Sequence, residues 1–212
     1  KKQEGISFLL IDMDNPGISI TPIGLISGES EFCQTFFDNV KVPKENLVGE
    51  LNKGWSVAKE LLVHERKLMS EIGSDSPREV IVPNAAAREY LDFEHGKIAD
   101  SQLRSDLVDY DMNMHAIGLT HFRTFEEKIA GVRSAAPMVM KYVGTEAEVT
   151  KSELLLAIMG SQGLGWEGDG FSKSEIDTLR LWAMSKIMTI AGGTSEIQLN
   201  VIAKNVLQLP QS

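Results

Sequence analysis

The chain has 212 residues, 42% of them hydrophobic and 24% charged, enough to bury a core without disulfide or metal staples. Twenty-one basic residues against thirty acidic ones leave a formal charge of −9, which repels a nucleic-acid backbone and an anionic membrane surface alike. The single cysteine, Cys33, excludes an internal disulfide and a thiolate zinc cluster and fits a reducing, cytoplasmic compartment.

Residues 5 to 48 read as β structure, because Gly5 to Asp12, Ile18 to Leu25 and Phe32 to Val42 are short apolar or alternating runs rich in Ile, Val and Phe. Asn15-Pro16-Gly17 and Ser27-Gly28-Glu29-Ser30 punctuate them as turns, and Pro43 ends the third by removing a ladder donor. Such strands are marginal alone, so they are expected to belong to a larger sheet. A chain that opens at Lys1, with a strand-like run four residues later, reads as a piece of a longer one. From Gly54 onward helices are expected near 54–72, 84–94, 100–130, 134–160, 172–189 and 195–207, bounded by breakers such as Gly73, Pro83, Gly131, Gly160, Gly192 and Pro210. No later stretch alternates long enough to argue for a strand. The fold class is mostly α, a bundle of antiparallel helices preceded by a few strands. The most apolar windows, Ile6 to Ile11 and Leu154 to Met159, are too short to span a bilayer.

The first helix carries a carboxylate where an apolar face is expected. With ~100° per residue, Ala58, Leu61, Leu62, Leu68 and Met69 fall within about 60° of Glu65, while Lys59, Glu60, Lys67 and Glu71 take the opposite arc. A carboxylate in such a place is costly unless paired or protonated, so Glu65 is either half of a buried ion pair or a catalytic acid/base. Ala191-Gly192-Gly193-Thr194-Ser195-Glu196-Ile197-Gln198 is a Gly-Gly turn entering the last helix. Thr194 or Ser195 can cap it, and Ser195 with Gln198 has capping-box spacing. Its free amides favour an anion or a cofactor's polar edge, although a plain helix cap explains the same residues. Gly160-Ser161-Gln162-Gly163-Leu164-Gly165 is neither a Walker loop nor a dinucleotide fingerprint, and reads as a helix stop. His64, His95, His115 and His121 lack the spacing of a metal helix, so no metal is assigned. Trp55, Trp166 and Trp182 are expected in the core.

Gly28-Glu29-Ser30-Glu31-Phe32-Cys33, then Phe36-Phe37-Asp38-Asn39-Val40-Lys41-Val42-Pro43, Asn46-Leu47-Val48-Gly49-Glu50 and Gly54-Trp55, resemble the middle of an acyl-CoA dehydrogenase. Ile190 to Gln198 followed by Ile202-Ala203-Lys204-Asn205-Val206-Leu207 resembles the C-terminal signature of the same flavoenzymes. The resemblance implies the end of the middle β domain over residues 1–50 and a C-terminal four-helix-type bundle over 51–212. It implies FAD as cofactor, an acyl-CoA substrate, an electron-transfer flavoprotein or similar acceptor, and a homo- or hetero-oligomer built as a dimer of dimers. In the family a neighbouring subunit's bundle helps to hold the adenosine end of FAD.

In enzymes of this kind a glutamate removes the α proton of the thioester while the β hydrogen leaves as hydride. The commoner base position is Gly192 here, which has no side chain; the alternative, on the first bundle helix before an arginine, is met by His64-Glu65-Arg66. The resemblance therefore makes Glu65 the expected base, Arg66 its neighbour toward substrate, and Gly160, Gly193, Thr194 and Glu196 the expected FAD contacts. Two departures stand out. Asp92-Phe93-Glu94-His95-Gly96 separates a phenylalanine and glycine usually adjacent, and Ala183-Met184 replaces an arginine-aspartate pair. Both resemble a bacterial branch acting on bulky acyl-CoAs, some of whose members pair two different subunits, so a catalytically silent subunit stabilising an active partner is the competing expectation. The chain alone is expected to bind FAD weakly and to self-associate through its bundle.

Overall fold

The computed structural model describes residues 2–71, 81–132 and 134–210 and, within them, all side chains except those of residues 63 and 66–71. The chain divides into two compact units, Lys1–Asp75 and Ser76–Ser212.

In the first unit, β1 (Phe8–Leu9) pairs antiparallel with β4 (Leu47–Val48), and β2 (Ile18–Ile23) pairs antiparallel with β3 (Phe32–Phe37) in the register Ile18 opposite Phe37 to Ile23 opposite Phe32. The entry to β2 is a side-chain-braced turn in which Asn15 Oδ1 accepts from the Gly17 amide at 3.0 Å. The strands are shorter than the apolar runs that announce them. β3 stops at Phe37 because the chain turns at Asn39, which has φ 50°, and then at Pro43. A short 3₁₀ turn over Lys44–Asn46 leads into β4, which has too few residues to show any period. The unit ends in α1 (Gly54–Glu71).

The second unit is helical. It runs α2 (Pro83–Tyr90), α3 (Ser101–Ile129), α4 (Ala136–Met159), a 3₁₀ turn over Gly160–Leu164, α5 (Lys173–Met188) and α6 (Ser195–Asn205). The starts follow ordinary capping chemistry. Pro83 opens α2, Asp100 accepts from the amides of Gln102 and Leu103 at 2.8 and 2.9 Å, and Ser172 forms a reciprocal capping box with Glu175. α4 is the central helix and packs against α2, α3, α5 and α6. Ala86, Ala87, Leu107, Leu154, Leu155 and Ile158 form the buried cluster where α2, α3 and α4 meet.

Two expectations need correction. α2 ends at Tyr90, and the residues beyond it form a hairpin of β5 (Phe93–Glu94) and β6 (Lys97–Ile98). His95 and Gly96, with φ of 51° and 74°, supply the left-handed pair that a two-residue hairpin turn requires. Trp55 and Trp166 are exposed rather than core, and the Arg180 guanidinium lies 5.3 Å from the Trp166 ring centroid. Among the described residues no helix is long and apolar enough to cross a membrane.

Candidate functional site

Glu65 belongs to the first unit, and α1 starts where it does because of Gly54. The Gly54 amide donates to the Ile6 carbonyl at 2.8 Å, and a Cβ at this position would overlap the backbone of Ser7 and Phe8. This contact ties the first turn of α1 to β1 and so sets the direction in which Glu65, three turns further on, is carried. Glu65 is half-buried while Leu61 and Leu62 beside it are 55% and 42% exposed, the reverse of the usual order for carboxylate and leucine. It makes no ion pair with another described residue. The result is an open apolar surface around a carboxylate. The side chain of Arg66 lies outside the described residues.

In the second unit, three of the expected cofactor residues come together at the turn between α5 and α6. Thr194 is the N-cap of α6, its Oγ1 accepting from the Ile197 amide at 3.4 Å. The paired Ser195 and Gln198 do not form the capping box that their spacing predicts. Ser195 Oγ instead donates to Glu146 Oε1 at 2.5 Å, and Gln198 Nε2 turns back to the Gly192 carbonyl at 3.1 Å. Gly193, with φ 107°, sits so close to Gln198 that an added Cβ would lie 2.7 Å from Nε2. The Glu196 carboxylate is held below its ordinary range by its own backbone N–H and by Thr194. Sequence reasoning missed Lys141, whose Nζ donates to the Gly193 carbonyl at 2.6 Å.

These contacts give the turn a polarity. The carbonyls of Gly192 and Gly193 are taken by side chains of the same chain, whereas the amides of Gly192 and Thr194 donate to no other group among the described residues. A group rich in acceptor oxygens fits there. Gly160, the other expected cofactor contact, is not part of this arrangement. It terminates α4 with φ 56°, nineteen residues beyond Lys141 and so about 28 Å along the same helix.

A model of the family described as "Acyl-CoA dehydrogenase, C-terminal domain" matches residues 52–207. Acyl-CoA dehydrogenase IpdE1 of Mycolicibacterium smegmatis is 30% identical over 216 residues, spanning 100% of this chain and 51% of that protein. Two solved structures share the fold. The Tcur3481-Tcur3483 steroid ACAD superposes with a TM-score of 0.76 at 24% identity, covering 100% of this chain and 54% of the other. The ChsE4-ChsE5 complex from Mycobacterium tuberculosis gives 0.70 at 24% identity, covering 98% and 53%. The chain therefore spans about half the length of these relatives.

Proposed function

The chain belongs to the acyl-CoA dehydrogenase family, and from that premise we propose that the protein it forms part of removes the α proton and the β hydride of an acyl-CoA thioester, with FAD as cofactor. When bound, FAD supplies the acceptor for the hydride. The observation that carries the reading is Glu65, a half-buried carboxylate set in an exposed apolar surface on α1, in a chain whose other base position, Gly192, has no side chain.

An acyl thioester needs both parts of that surface. Leu61 and Leu62 offer its hydrocarbon a dry contact, and a Glu65 Oε takes up the α proton. Gly193, Thr194 and Glu196 hold the cofactor in this reading, because the turn presents amides that donate to no described residue and carbonyls taken by side chains. Gly160, a helix length away, serves a different part of FAD, or the FAD of a neighbouring subunit, and Arg66 contributes toward substrate. The steroid named for the Tcur3481-Tcur3483 structure makes a bulky, ring-bearing acyl-CoA the first substrate to try. An electron-transfer flavoprotein or similar protein takes the electrons onward. A cytoplasmic setting fits the free thiol of Cys33.

A second reading is a silent subunit beside an active one. Gly192 favours it, and two of the solved relatives carry paired names. Replacing Glu65 with Gln in the complete flavoprotein decides between them. As base, Glu65→Gln leaves flavin content intact and slows bleaching of the flavin by acyl-CoA in stopped flow by roughly two to four orders of magnitude. Bleaching at the parent rate assigns the chain to the silent role.

A further inference from the structure

α4 passes beneath the turn that precedes α6, and two of its side chains hold that turn from below. Lys141 Nζ donates to the Gly193 carbonyl at 2.6 Å and lies 3.4 Å from the Met188 carbonyl; Glu146 Oε1 accepts from Ser195 Oγ at 2.5 Å. Lys141 is half-buried and spends its ammonium on backbone carbonyls, and desolvation pulls its pKa below the ordinary lysine value. Hydrogen bonds from a charged donor are roughly twice as strong as neutral ones.

The Gly193 carbonyl and the Thr194 amide belong to one planar trans peptide, so they point in opposite directions. Fixing the carbonyl toward α4 therefore turns the Thr194 N–H to the far side, where no described residue accepts it. Thr194, at φ −61°, excludes a full flip of this peptide, but Gly193 has no Cβ and tolerates a wide range of ψ, so the direction of the peptide plane is soft on its glycine side. Lys141 pins the plane within that range. We propose that Lys141 is a positioning residue that aims the Thr194 amide at the cofactor; this rests on the reading that the turn contacts FAD.

The test measures FAD affinity of the complete protein by flavin fluorescence, well below its melting temperature. Lys141→Met is expected to raise the dissociation constant about tenfold, and Lys141→Arg, which restores a charged donor, to bring it back within about threefold. Lys186→Met is the control for loss of a lysine from the same helical unit. It breaks the pair with Glu153 and the contact with the Trp182 ring, and is expected to lower the melting temperature without changing FAD affinity. A parent that binds FAD beside a Lys141→Met variant that binds equally well overturns this proposal alone. A parent that takes up no FAD overturns the cofactor reading and this proposal with it. Should Lys141→Met not fold, the Thr194 amide of the parent decides: FAD slows its hydrogen exchange at least tenfold if the amide is aimed at the cofactor, and unchanged exchange refutes it.

Discussion

Tyr90, at the end of α2, donates its hydroxyl to Glu175 Oε1 at 3.1 Å, joining two residues 85 positions apart. Glu175 already accepts from the Ser172 amide, and that bond, with Tyr90 added, holds its carboxyl below the ordinary 4.5. Burial first, and then the Glu175 carboxylate, push Tyr90 from 10.0 up to about 12. The two shifts act at opposite ends of the pH scale. The depressed carboxyl contributes stability above pH 4.5 that is lost as pH falls through its folded value. The raised phenol contributes stability below pH 10 that is lost as pH rises through about 12. Tyr90→Phe is expected to cost about 1 kcal/mol at neutral pH and to flatten the alkaline loss. Urea unfolding midpoints at pH 7, 10 and 11.5 check it; a variant as alkali-sensitive as its parent refutes the assignment.

At the scale of elements, the joint between β1 and α1 is the least forgiving. Gly54→Ala pushes a methyl into the Ser7–Phe8 backbone, which has no side-chain freedom with which to yield. Destabilisation of about 1–3 kcal/mol is expected, read from chemical denaturation of the complete protein. The long helices were legible beforehand because α3, α4 and α5 run for many turns, so period and glycine breakers reinforce each other. β4, β5 and β6 were not, because a two-residue strand has no period and its partner is chosen by tertiary pairing. The same contrast holds for the site. The half-buried position of Glu65 on α1 was legible because a wheel position depends only on its own helix. Ser195 and Gln198 misled, since local spacing cannot show that Glu146, 49 residues earlier, captures the serine hydroxyl. Lys141, set among Met, Val and Tyr, carried no signal for a partner 52 residues away.

For the molecule as a whole, α3 shows two apolar stripes and α4 covers only one. Leu103, Leu107, Tyr110, Met114 and Ile117 lie on the covered side. Val108, Met112, Leu119, Phe122 and Ile129 recur at heptad-like intervals, and each is more than half exposed. A row of that spacing suits a second helix of the same kind, so a second copy of the chain is its expected occupant. Light scattering should show association that rises with concentration, and Leu119→Glu with Phe122→Glu should return the mass to that of one chain. A parent that stays monomeric over the whole range argues against this pairing.

α4 joins these scales, since Lys141 stands near one of its ends and Gly160 closes the other. Removing one residue between Thr145 and Ser152 would bring the ends closer by only about 1.5 Å but swing one against the other by about 100°. The Gly160 corner would then face a new direction while the Lys141 grip stayed in place. Exposed positions such as Glu148 and Thr150 are free to change identity. The number of residues between the two ends is not, so across the descendants of this sequence α4 should drift in composition while its length stays constant.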